Sequence, residues 1–147
     1  MHPILELYNQ INHFANTNGM TYRVIQPGEV EYRMQVKDEH QSGPGVAHGG
    51  LVAGFMDAVI GVAALSSVVD EFMLVSTVEF KINFLKPVKI GQEIVGMGKV
   101  DSKGQRIIVS SGVIYDAQGE PLAKATGTFN AYPADKIREK VGNLFTF

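Results

Sequence analysis

His48, Gly49, Gly50 and Asp57 fall within ten residues of one another, inside the most apolar stretch of this 147-residue chain, GPGVAHGGLVAGFMDAVIGVAALSS (43–67). A carboxylate in such a run is costly unless it has a hydrogen-bonding partner or a chemical task. A helix beginning near His48 or Gly49 leaves its first N–H groups without intrahelical acceptors. Its dipole adds about half a positive charge at that end. Gly49 and Gly50 put no side chain there, so a ligand oxygen could approach closely, as at an anion or oxyanion site. Glycines are common at helix starts, so this triplet alone carries little weight. Gly50, Gly54, Asp57, Gly61 and Ala64 share one helix face, since residues three and four apart are neighbours. Either a thin ligand or a second backbone approaches that face, or it packs tightly on a sheet.

The spacing carries a further consequence. Gly49 and Asp57 are eight residues apart, about 12 Å along a helix axis. Asp57 cannot act on an atom held at the start of its own helix. If both serve one reaction, they come from two copies of the chain with antiparallel helices across a two-fold axis. An obligate homodimer with two equivalent interfacial sites is therefore expected.

The elements that must position these groups are legible from periodicity. Residues 3–17 read as an amphipathic helix, with Ile4, Leu7, Tyr8, Ile11 and Phe14 at helical spacing, Pro3 at its start and Asn18-Gly19 at its stop. It is expected to act as a lid. The period then changes to two. Met20–Gln26 and Val30–Val36 flank Pro27-Gly28 as a hairpin whose buried face is Val30, Tyr32, Met34 and Val36. A loop, 38–47, leads into the long helix. Leu74–Leu85 alternates again, with Leu74, Val78, Phe80, Ile82 and Phe84 on one face and Thr77, Glu79, Lys81 and Asn83 on the other. Further strands are expected at Glu93–Val100, Arg106–Tyr115 and Leu122–Tyr132, punctuated by turn residues. The predicted class is α+β, an antiparallel sheet of about six strands curled around one long central helix. The chain reads as a single domain (1–147), with its core at 20–132 and a short charged tail at 134–147 that has room for one helical turn.

Composition narrows the function classes. Apolar residues make up 45% and charged residues 19%, an ordinary globular balance. A formal charge of −2 gives no electrostatic case for nucleic acid or an anionic membrane surface. With no cysteine, thiol nucleophiles and thiolate metal sites are excluded. His40 and His48 lack the companions of a metal site, His2 and His13 look incidental, and no metal or cofactor is expected. No serine stands in a nucleophile-elbow pattern. Residues 49–69 are long enough to span a membrane, but Asp57 at the midpoint would cost roughly 2.5–3.5 kcal/mol on insertion scales. A buried helix is the better reading. The first ten residues lack a secretory pattern, and a cytoplasmic location is expected.

The string HGGLVAGFMDAVIGVAAL, with the later STVEFKINFLKPVKIGQEI and DAQGEPLAKATGTF, resembles the hotdog-fold acyl-CoA thioesterases of the phenylacetic-acid-degradation, PaaI-like type. The resemblance covers roughly residues 20–132. It implies a hotdog fold and hydrolysis of an acyl-CoA, with coenzyme A as part of the substrate. Asp57 then matches the carboxylate that activates water or attacks the thioester. Gly49 matches the glycine whose N–H polarises the carbonyl, and His48 the motif histidine that positions groups around the site. Thr77 matches a strand Ser/Thr lining the site; an ordinary strand threonine is the alternative. Many relatives carry Asn or Gln where this chain has Ser42, so Ser42 or the adjacent Gln41 is expected to take that part. The phosphates of CoA call for cations, and Lys86, Lys89, Lys103 and Arg106 are the candidates, each equally a residue of the solvated rim. The resemblance leaves dimer and dimer of dimers both open. Two rival readings share the fold. One is a hydratase or dehydratase pairing His48 with Asp57 across the interface. The other is a non-catalytic acyl-binding protein, which would have no use for Asp57.

Overall fold

The structure, a computed structural model, describes residues 1–135; beyond its first two residues, the expected tail lies outside them. Helix α1 spans Pro3–Ile11. His2 opens it by accepting the Ile4 N–H, and Pro3 needs no N–H there. The single helix expected over 3–17 divides at Asn12, and α2 follows at His13–Thr17. Asn12 leaves helical geometry (ψ 73°) and donates its N–H to the Tyr8 carbonyl. Its side-chain oxygen accepts the Ala15 N–H at 3.1 Å and so caps α2. Asparagine competes in this way with continued helix.

Strands β1 (Thr21–Gln26) and β2 (Glu29–Gln35) form the expected hairpin. Gly28 takes the positive φ of the turn, 87°, and donates its N–H to the buried Ser66 hydroxyl at 2.9 Å. The expected loop 38–47 is ordered by a 3₁₀ turn at Asp38–His40 and a two-stranded ribbon, β3 (Gln41–Gly43) and β4 (Val46–Ala47). Helix α3 (Gly49–Ser66) follows, then β5 (Met73–Phe84), β6 (Glu93–Lys103), β7 (Ile107–Tyr115) and β8 (Pro121–Pro133).

Six strands form one antiparallel sheet in the order β1-β2-β6-β7-β8-β5. The sheet wraps α3, whose Phe55, Met56, Val59 and Ile60 are fully buried against it. The approach is close because the strands carry glycines where the helix lies. A side chain at Gly98 would fall 2.5 Å from the Val59 carbonyl oxygen. Ser110, wholly buried on β7, donates to the Ile60 carbonyl at 2.8 Å and pins the helix to the sheet. α3 is long and apolar enough to cross a membrane by composition, yet more than half of it is buried inside the protein, the pattern of a core helix.

Edge strand β5 departs from simple alternation. Thr77 pairs with Phe129 and Glu79 with Thr128, so Val78 is an extra, unpaired residue. This β-bulge resets the alternation. Thr77 shares the helix side with Phe129, and Phe80 shares it with Gly127, where a side chain would meet Ile60. Thr77 is therefore on the helix side and not on the face opposite Phe80, as strict period-two reading requires. Val78 instead is 59% exposed.

A candidate active site divided along one helix

The start of α3 is more finely arranged than the paired glycines suggest. His48 is the N-cap, and its Nδ1 accepts the Gly50 N–H at 2.7 Å. Accepting there places the ring proton of the neutral imidazole on Nε2. The His48 carbonyl takes the Leu51 N–H at 3.0 Å. Of the two glycine N–H groups, Gly50 is thus occupied, and Gly49 is the exposed donor with no acceptor among the described residues. A side chain at Gly50 would strike the His48 ring at 2.8 Å, so that glycine serves the cap. The His48 N–H donates to the His40 carbonyl at 2.8 Å. His40 itself is buried, its ring engaged with the Lys37 N–H and the Asn18 carboxamide. It is an anchor for the helix start.

Asp57 lies on the open face of α3, half-buried. Thr77 donates from Oγ1 to Asp57 Oδ1 at 2.8 Å, and Oδ2 is uncommitted among the described residues. The face around it is formed by Gly54, Ala58 and Gly61; Ala64, expected on the same face, is fully buried. These residues line a cleft of about 470 Å³ walled by β5 on one side and by α1 and α2 on the other. The N-terminal helices, expected as a lid, thus form one wall of the cleft, and sequence reasoning named none of the residues in that wall as site residues. Their Ile11 and Phe14 stand 48% and 52% exposed at the cleft. Helical spacing made both look like core positions, and the break at Asn12 is what removes them from it.

Tyr8 also reaches the cleft, and behind it Tyr22 and Tyr32 stack with ring centres 5.0 Å apart, Tyr32 meeting Phe55 edge-on. Burial raises the Tyr8 hydroxyl above its ordinary pKa; the hydrogen bond from Tyr32 opposes this, and the Asp57 charge adds to it. Tyr22 is pushed up to about 12, chiefly by burial. These hydroxyls stay protonated near neutral pH and do not serve as bases.

Gly49 opens instead onto a separate cavity of about 360 Å³, with Phe84, Lys86 and Val88 in its walls. One chain therefore does not bring Asp57 and Gly49 together, as the helix geometry requires. Lys86 lies at the Gly49 mouth, ion-paired with Glu120. Lys89 is near it through the pairing of its backbone with Val46. Lys103 is at the opposite end of α3, bonded to the Ser67 carbonyl and Glu71. Arg106 sits in the β6–β7 turn, where its carbonyl accepts the Ala131 N–H. Ser42 is exposed in the β3–β4 ribbon, and Gln41 Oε1 accepts the Gly45 N–H at 3.3 Å. Neither residue lines the Asp57 cleft or the Gly49 cavity.

A six-stranded antiparallel sheet wrapped around one long apolar helix is the hotdog architecture of thioesterases. Residues 44–123 match the Thioesterase superfamily, more than half of the chain, and the protein belongs to that family. A candidate esterase of Saccharolobus solfataricus is 36% identical over 71% of this chain and 73% of its own. Human acyl-coenzyme A thioesterase 13 is 31% identical over 58% of this chain and 59% of its own. The Escherichia coli PaaI protein of the phenylacetic acid degradation operon superposes with a TM-score of 0.81 at 19% identity, over 87% of this chain and 90% of that one.

Proposed function

We propose that this protein hydrolyses acyl-CoA thioesters at two sites, each shared between two protomers of a homodimer. Asp57 of one protomer faces the Gly49 N–H of its partner across antiparallel α3 helices. The Gly49 N–H polarises the thioester carbonyl. Asp57 either takes a proton from the attacking water and returns it to the departing sulfur, or attacks the carbon itself to give a mixed anhydride. Water then hydrolyses that anhydride, its proton going to the CoA thiolate. In both, the C–S bond breaks and CoA leaves as the thiol. The observation that carries this reading is the division of the site. Asp57 is oriented by Thr77 with one oxygen uncommitted, while the free Gly49 N–H opens onto a different cavity of the same chain. Likeness to an acyl-CoA thioesterase supports the substrate class. The occupied Nδ1 of His48 weighs against the hydratase alternative, which would use that ring as a base. Lys86 and Lys89 are the better placed of the four cations for CoA phosphates, being near Gly49.

A complementation experiment tests the shared site. Gly49→Pro removes the N–H while suiting the first helical position, which proline favours, after an extended His48 (φ −58°, ψ 135°). It should lower kcat about 10²–10³-fold. Asp57→Asn should lower it about 10³-fold or more. A heterodimer of the two variants contains one site with both groups intact, so equal mixing with random re-pairing should restore activity to about a quarter of the wild-type level. If each chain held a complete site, mixing would restore nothing.

A further inference from the structure

The exposed apolar wall beside Asp57 has no partner within the described chain. Helix α1 carries two sets of apolar residues. Ile4 and Leu5 are buried with Leu65 of α3 and Leu74 of β5 and fasten it there. Ile11, and Phe14 just beyond the break, are not used for that and stand open at the cleft. Without the break at Asn12 the chain would continue along α1. With it, Phe14 lies on the α3 backbone, where a methyl on Gly54 would fall 2.9 Å from its ring. Gly54 is three residues before Asp57, so the position that the ring covers and the carboxylate are neighbours on one helix face. Beyond the ring, the floor beside Asp57 is Ala58 and Gly61, with no large side chain. This leaves a thin slot, apolar on both sides, ending at the carboxylate. Large exposed apolar side chains lining a concave site are the usual mark of a ligand's apolar part.

We propose that Ile11 and Phe14 are specificity-determining residues that hold the acyl group, and that the favoured substrates carry an apolar acyl chain, linear or aromatic, longer than acetyl. The inference rests on the thioesterase reading above. The carbonyl sits between Asp57 and the partner's Gly49, and the acyl group runs from it over Ala58 and Gly61, with its side against the Phe14 ring and Ile11. An aryl group would stack offset on that ring; a linear chain would fill the same slot.

The test is a substrate series of acetyl-, hexanoyl- and phenylacetyl-CoA with the wild type, Phe14→Ala and Ile11→Ala. Both residues are half-exposed, so the variants should fold and keep the dimer. Phe14→Ala should lower kcat/KM about tenfold for hexanoyl- and phenylacetyl-CoA and leave acetyl-CoA within about twofold, the loss falling mainly on KM. Ile11→Ala should do the same more weakly. Gly54→Ala, which displaces the ring, should repeat the pattern. An equal change for all three substrates, no change for any, or loss of the dimer in Phe14→Ala would overturn the proposal while leaving the thioesterase reading intact. A wild type that cleaves none of the three would overturn both.

Discussion

The two faces of α3 are built from one apolar stretch and have opposite economies. On the sheet side, Phe55, Met56, Val59 and Ile60 are wholly buried, and the helix is further held by the Ser110 hydroxyl. On the open side, Gly54, Asp57, Ala58 and Gly61 are only half-buried, and Asp57 is oriented by one hydrogen bond from Thr77. Stability is spread over many contacts, each backed up by its neighbours. The proposed chemistry rests on a few groups with no substitute nearby. Damage should therefore register in different observables on the two sides.

The largest contrast is between Phe55→Ala and Asp57→Asn. The first should cost about 3–5 kcal/mol of folding stability by opening a cavity against the sheet. Chemical denaturation reads it, and activity should fall only as the folded fraction falls. The second should remove kcat about 10³-fold or more and leave Tm unchanged or slightly higher, because asparagine still accepts from Thr77. A large loss of stability in Asp57→Asn would mean that the open face is structural after all.

Thr77→Val comes next. It keeps the branched shape beside the bulge and removes the donor to Asp57, so kcat should fall about tenfold with little change in KM. Thr77→Ser should recover most of that loss; if it does not, the hydroxyl is not what Thr77 contributes. The smallest effect concerns the helix start. His48→Ala should cost about 1 kcal/mol through loss of the cap. His48→Asn, which also caps, should restore stability. Whatever activity is still missing then measures the Nε2–H as a donor to substrate, separating the ring's chemistry from its capping.

Much of this was readable from residues alone. The apolar run announced a helix buried on most sides, and Val30, Tyr32, Met34 and Val36 announced the inner face of β2. All four are buried. The groups around the site were read less evenly. Asp57 and Gly49 were singled out because a carboxylate and a bare helix start are conspicuous where they stand. Ile11 and Phe14 were not, because an apolar residue at helical spacing looks the same whether it faces a core or a cleft. Lys103 and Arg106 followed turn signals, but the turn that holds Lys103 lies at the C-terminal end of α3.

What the sequence determined by itself is the distance between Asp57 and Gly49. Helical rise follows from covalent geometry and local hydrogen bonds, so eight residues mean about 12 Å in any fold. If both groups serve one reaction, the need for a second copy follows from that. The tertiary structure alone decided three things: that Thr77 faces the carboxylate, that His48 claims Gly50 and leaves Gly49 free, and that Phe14 lies over Gly54. The first depends on β5 pairing with β8 with one residue to spare at Val78, and a one-residue shift in register turns a side chain to the other face. The third depends on Asn12 preferring its own cap to another turn of helix. Such choices are settled by contacts between residues far apart in the chain, or by close competition between local hydrogen bonds, and no local pattern records the outcome.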